Sequence, residues 1–124
     1  MKVIFALCGI ILVVGGILLW NWFSAPVEFG EFTKAPHAEI LDVIQHPENY
    51  LHQTVALEGQ VAQQCTTMGC YFFFVVGSQE LRVDLADIAM NAPRGRDGRP
   101  VRVEGRTVPY DKGYQFMASA VRFE

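Results

Sequence analysis

The sequence has few of the residues on which most enzyme active sites depend. It contains only three serines and three histidines in 124 residues, and every histidine precedes Val55. No serine lies in a nucleophile-elbow motif, and no two carboxylates stand out as a general acid and base. Histidine is also absent after Tyr114, where a haem-holding tail would need one. We therefore predict that the chain is not an enzyme.

Positive charge is scarce as well. Ten Lys and Arg stand against 13 Asp and Glu, which gives a net charge of −3 and a sequence pI near 5.6. A chain of this charge is not suited to coating itself with phosphate polyanions, so no nucleic-acid partner is expected. Three arginines do lie close together, and we interpret them as a turn surface for a ligand or partner: Arg94, Arg96 and Arg99.

One long apolar run opens the sequence. From Val3 to Trp20 it holds no charged residue, and a helix continued to Trp22 would reach roughly 30 Å, the thickness of a bilayer's hydrocarbon core. Bulky residues at its end and a nearby proline argue against signal-peptide cleavage. With Lys2 retained inside, we expect residues 1–23 to be a single-pass anchor in the inner (cytoplasmic) membrane, with the C-terminal domain in the periplasm.

The remaining sequence is typical of a linker followed by one small β domain. Residues 24–37 contain prolines and a glycine, and residues 38–124 begin with a short helix at 38–46. Strand periodicity then occurs in five segments, at 55–62, 71–76, 81–85, 101–105 and 114–123. This order, with a short helical link between the third and fourth strands, predicts an all-β fold: a small five-stranded OB-fold-like barrel with no open edge. An open β-sandwich is the alternative.

Local features within these strands lead to three further expectations. Gly59 and Gly105 occupy matching mid-strand positions, which predicts a bend or a close backbone approach at each. The continuous apolar run Tyr71 to Val76 predicts a strand buried on both faces. A change in the parity of the apolar residues along the last strand predicts a bulge near Ser119.

Two cysteines in one turn are the strongest chemical signal. Cys65 and Cys70 are separated by four residues between two predicted strands, so their Cα atoms would lie about 4.5 to 5.5 Å apart, within the range of a disulfide. In an oxidising compartment a structural disulfide is the favoured interpretation. A copper(I) site that adds Met68, a thiol-redox pair, a zinc site and free thiols are the alternatives. No cofactor is expected apart from copper in that alternative.

The same region carries a resemblance. Gly59 to Tyr71 has the pattern G-x-V-x3-C-x3-G-C-aromatic, and Asp87-Ile88-Ala89, Pro93 and a G-x-x-V-x-V-x-G stretch from Gly98 follow it. Over about residues 55–108 the chain therefore resembles an uncharacterised bacterial family of small exported OB-fold-like proteins. The resemblance implies the fold, the compartment and the importance of the cysteine pair. This sequence departs from it at Tyr71, where tryptophan is expected, and in having an anchor.

Together these features predict a membrane-anchored extracytoplasmic OB-fold-like binding or assembly module, structured by the Cys65–Cys70 pair. The expected partners are the lipid bilayer and a membrane protein, and any small ligand is unknown. The alternative function is a soft-metal (copper) carrier or a thiol-redox protein that uses Cys65, Met68 and Cys70.

Overall fold

The computed structural model describes residues 2–23, 26–64, 71–89 and 95–124. Helix α1 spans Lys2–Phe23, and its large apolar side chains between Val3 and Leu18 are 50% to 78% exposed. The side chains of α1 are described for residues 3–18. Among the described residues, no helix is both long and apolar enough to cross a membrane.

The rest of the described chain is mostly β-sheet. The predicted short helix is confirmed as α2 (Ile40–Gln45), and a 3-10 helix at Pro47–Tyr50 follows it. The strands are β1 (Val27–Gly30), β2 (Val55–Gln60), β3 (Tyr71–Val76), β4 (Gln79–Asp84), β5 (Pro100–Tyr110) and β6 (Gly113–Phe123).

The strands form one sheet in the order β2-β5-β6-β4-β3, with β1 added to β6. Every pair is antiparallel except β4 and β6, which run parallel. Along one side β6 pairs with β5, and along the other it pairs first with β4 and then with β1. The result is OB-fold-like, as the strand order predicts.

The prediction of a closed five-stranded barrel is wrong in two respects. The sheet has six strands, because Val27–Gly30, within the predicted linker, pairs with the end of β6 and packs Phe29 against the core. The sheet is also not closed, since β2 and β3 remain at its two edges. One isolated bridge joins the two edges, between Ala62 and Phe73. Gln63 then adopts a positive φ of 47°, which ends the extended backbone and stops the ladder there.

The bulge and the two close approaches are confirmed. The register of β5 against β6 shifts between Glu104 and Gly105, which leaves Ser119 as the extra residue, and its hydroxyl donates to the Glu104 carbonyl at 3.1 Å. A Cβ at Gly105 would lie 2.9 Å from the Ala118 Cα, and one at Gly59 would lie 2.8 Å from the ring of Phe74. Neither position leaves room for a side chain without a shift.

Strand β3 is buried on one face, which corrects the expectation for its apolar run. Phe72 and Phe74 lie in the core, with ring centroids 5.3 Å apart, and Phe72 also packs edge-on against Phe123 at 6.1 Å. Tyr71 and Phe73 alternate with them and are half-buried on the outer face. The prediction failed because six apolar residues in a row do not reveal which face of a strand carries a second layer.

Candidate binding surface

The predicted site residues fall into two groups. Four of them lie outside the described residues, namely Cys65, Met68, Cys70 and Arg94. Arg96 is only 8% exposed, and its Nη1 donates to the Glu124 carbonyl at 3.2 Å. Burial, followed by the charge of Arg99, lowers the pKa of Arg96. Arg99 is half-buried. The structure therefore places Arg96 against the end of β6 rather than on one exposed surface with Arg99.

Metal ligation finds no support in the part of the chain that the structure describes. That part contains no group of three or more His, Cys, Asp or Glu side chains able to hold an ion. Its cysteine, Cys8 in α1, is an exposed free thiol. The residues of the copper alternative lie outside it.

A cluster on the outer face of the sheet is the most organised polar feature among the described residues. We call it the tyrosine–arginine cluster; it comprises Tyr71, Arg82, Asp84, Tyr110 and Gln115. Strand alternation points Tyr71 of β3 and Arg82 of β4 outward, and Tyr110 stands at the end of β5. The Arg82 guanidinium carbon lies 4.2 Å from the centroid of the Tyr71 ring and 4.7 Å from that of Tyr110. Both distances fall within cation–π range.

Gln115 fixes the orientation of the guanidinium. It is only 5% exposed, and its Oε1 accepts a hydrogen bond from Arg82 Nε at 3.0 Å. Its Nε2 donates to Asp84 Oδ2 at 3.2 Å, and the other oxygen of Asp84 accepts from the Ala86 N–H at 2.8 Å. These hydrogen bonds fix the side chain of Asp84, then that of Gln115 and then that of Arg82. Arg82 forms no salt bridge with any described residue.

The arginines on the opposite part of the sheet are paired with acids. Arg102 of β5 and Arg122 of β6 are directly opposite in register. Arg102 lies 3.7 Å from Glu58, and Arg122 lies 3.4 Å from Glu124 and 4.0 Å from Glu28. They line a cleft of about 250 Å³ together with Phe32, Lys34 and Glu104. Each guanidinium in this cleft therefore already has an acidic neighbour, whereas Lys34 forms no salt bridge with a described residue.

Glu104 is a residue that sequence reasoning missed. The alternation of β5 predicts that it faces solvent, yet it is fully buried because residues 33–35 cross over it. Its Oε1 accepts from the Thr33 N–H at 2.7 Å and from the Thr33 hydroxyl at 3.0 Å, and its Oε2 accepts from the Ala35 N–H at 3.2 Å. Lys34 adopts a positive φ of 58°, which lets both N–H groups face the carboxylate.

A third feature is the gap between the two sheet edges. A cavity of about 540 Å³ lies there, bordered by Gly59 and Gln60 of β2, Phe74 and Val75 of β3, and Ile40 of α2. Gln63, which precedes Cys65 by two residues in the sequence, also lines it.

Arg82 was also missed as a site residue. The signal was present, since Arg82 is flanked by Leu81 and Val83 and must face away from the core. The fixed orientation of Arg82 depends on Tyr110 and Gln115, which are about 30 residues further along the chain. Sequence pattern alone does not bring them together.

Comparisons with known proteins leave the family of the chain open. No family model and no curated protein matches it. Among solved structures it is similar to the hypothetical protein ygiW from E. coli, with a TM-score of 0.49 and 12% identity, over 77% of this chain and 99% of that chain. A likeness this distant carries no functional argument.

Proposed function

We propose that the chain is a binding or assembly module that α1 anchors in the inner membrane, with its β domain outside the cytoplasm. The exposure of α1 is the observation that supports this. Its described large apolar side chains are at least half exposed on every side, and nothing lies within 4 Å of a Cβ built at Gly9, Gly15 or Gly16. Removing such a surface from water is worth on the order of 10 kcal/mol or more. A helix that is apolar all round suits hydrocarbon.

Charge and resemblance support the same orientation. Lys2 precedes the apolar run, and the first charged residue after it is Glu28, which favours an inside N-terminus. The resembled family consists of exported proteins, and we propose that this chain shares their compartment and their use of the cysteine pair.

The described residues on either side of the cysteine pair are consistent with the proposed Cys65–Cys70 disulfide. Ala62 and Phe73 exchange both backbone hydrogen bonds, at 3.0 and 2.8 Å. Cys65 follows Ala62 by three residues and Cys70 precedes Phe73 by three, so this bridge holds together the two ends of the segment that carries the pair. No described residue bears on the copper carrier.

The placement is tested with a reporter fused after Glu124. Alkaline phosphatase, which is active only outside the cytoplasm, should be active in this fusion, and green fluorescent protein should not fluoresce after Sec-dependent export. A Leu12→Arg/Val13→Arg variant, in which both positions are exposed, should move the chain out of the membrane fraction. The matched control, also with two added arginines, is Ser78→Arg/Gln79→Arg, at exposed positions in the β3–β4 turn and the start of β4. A fusion that is active only in the cytosol would overturn the proposal.

The cysteine pair is tested by alkylating the full chain under denaturing conditions, before and after reduction, and weighing it. A disulfide protects two thiols until reductant is added. Alkylation of all three cysteines without reductant, in protein isolated under acid quench, would show that the pair is not oxidised.

A further inference from the structure

We propose that the tyrosine–arginine cluster is the contact by which this module holds a carboxylate of an acidic peptide segment in a partner protein. The inference rests on the proposed binding function and names its site and the chemistry of its partner.

The guanidinium of Arg82 is already arranged for such a contact. Two aromatic rings lie within cation–π distance of it, and its Nε donates to Gln115. Its two Nη atoms have no hydrogen-bond partner among the described residues. The Nη edge of an arginine matches the two oxygens of a carboxylate. Because the side chain is ordered before binding, little rotamer entropy is lost when a partner arrives.

Three other arginines show how the protein's own groups can occupy a guanidinium. Arg102 and Arg122 lie beside glutamates, and Arg96 is bound to a backbone carbonyl. Arg82 is half-buried beside two rings and has no acidic neighbour within salt-bridge distance in the described chain. A carboxylate from outside would supply the counter-charge.

The surroundings favour a peptide over a nucleic acid. A nucleic acid needs several cations along its backbone, whereas the neighbours of Arg82 on the same face of β4 are two acids, Asp84 and the exposed Glu80. On the same face lie exposed apolar or aromatic side chains, with Val75 47% exposed and Tyr110 43% exposed. Tyrosine and arginine are the residues that dominate binding energy in protein interfaces. A partner peptide with one acidic side chain flanked by apolar side chains would match the guanidinium and the apolar surface around it.

The test uses the full chain in zwitterionic detergent and a fluorescent pentapeptide amide, Gly-Phe-Glu-Phe-Gly, with Gly-Phe-Gln-Phe-Gly as its uncharged match. The Glu peptide should bind at least about tenfold more tightly, since bonds to charged groups exceed neutral ones by roughly that factor. Binding should also shift the Nε–H NMR signal of Arg82. The contact should weaken below about pH 4, where the peptide's carboxylate is protonated.

Variants distinguish a specific contact with Arg82 from a general attraction between the peptide and the protein's positive charge. Arg82→Lys keeps the charge but removes the fork, and should weaken binding of the Glu peptide about tenfold. Arg106→Gln removes one charge from an exposed arginine of β5 outside the cluster, and should change binding less than about twofold. Tyr110→Leu, at an exposed position that leaves the core intact, should weaken binding several-fold even if Arg82→Lys fails to fold.

Three results would overturn the proposal: equal binding of the two peptides, an equal loss in Arg106→Gln, or displacement of the Glu peptide by a deoxythymidine oligonucleotide that binds more tightly. All are measured on purified protein. They are therefore independent of the reporter fusion, and a failure of the membrane placement is distinguished from a failure of this contact.

Discussion

Replacement of Glu104 by glutamine should destabilise the fold even though it barely changes the shape of the side chain. The carboxylate is fully buried and accepts three hydrogen bonds from Thr33 and Ala35. In Glu104→Gln the amide oxygen can still accept from Thr33. The new amide nitrogen then faces the Ala35 N–H, so that one donor meets another.

The magnitude follows from the bonds that are lost. One bond to a charged acceptor is worth about 1.5 to 3 kcal/mol, and a buried donor left without a partner costs about 1 to 3 kcal/mol. These terms overlap, and the two remaining bonds lose their charge assistance. We therefore expect the free energy of unfolding to fall by about 2 to 4 kcal/mol, a large share of the roughly 5 to 15 kcal/mol typical of a domain.

Glu58→Gln is the matched control. Glu58 lies on the neighbouring strand, its side chain is 59% exposed, and its contact is a 3.7 Å ion pair with Arg102. Exposed ion pairs of this kind contribute about 0 to 1 kcal/mol. Urea unfolding of each full-length variant in the same detergent, followed by circular dichroism, gives the comparison. If Glu104→Gln and Glu58→Gln lose the same stability, the carboxylate does not hold residues 33–35 as argued.

Three further changes test other parts of the fold by urea unfolding. Gly105→Ala should cost about 2 kcal/mol or more because its Cβ meets the β6 backbone, whereas Gly113→Ala, with open space around it, should cost under about 1 kcal/mol. The pKa of Tyr50 is raised above 10.0 by the hydrogen bond it donates to a carboxylate on α2 and by burial. The stability that the folded state gains from protonated Tyr50 is therefore present below pH 10 and is lost as the pH rises through the raised pKa. In Tyr50→Phe the free energy of unfolding should fall less steeply over that pH range. Phe72→Ala should cost about 3 to 5 kcal/mol and Phe73→Ala less than half of that; equal losses would contradict a one-sided β3.

The strands could be predicted because their signals are local. Alternation located β2, β4 and β6, and the shifted parity near Ser119 located the bulge, since each depends on neighbouring residues that face the same side. Strand β1 was missed because Val27–Gly30 is only four residues long and has an edge position that depends entirely on the end of β6. Closure was overestimated because the positive φ of Gln63 has no marker in the sequence.

The site could not be predicted from local pattern, because it depends on which segments cross which face. Glu104 and Arg102 occupy the same face of β5 and alternate alike in sequence. One is buried and the other exposed only because residues 33–35 lie over Glu104. Such a crossing joins positions about 70 residues apart in the chain.

The same reasoning explains why the arginines differ. An arginine buried beside the chain end, as Arg96 is, has its donors taken by the protein's own backbone. An arginine on the open sheet, such as Arg122, is offset by glutamates at 3.4 and 4.0 Å. Arg82 is held by two rings and an amide, which orient the guanidinium without neutralising it. The Nη edge of Arg82 is therefore the part of the guanidinium at which a carboxylate from a partner would bind.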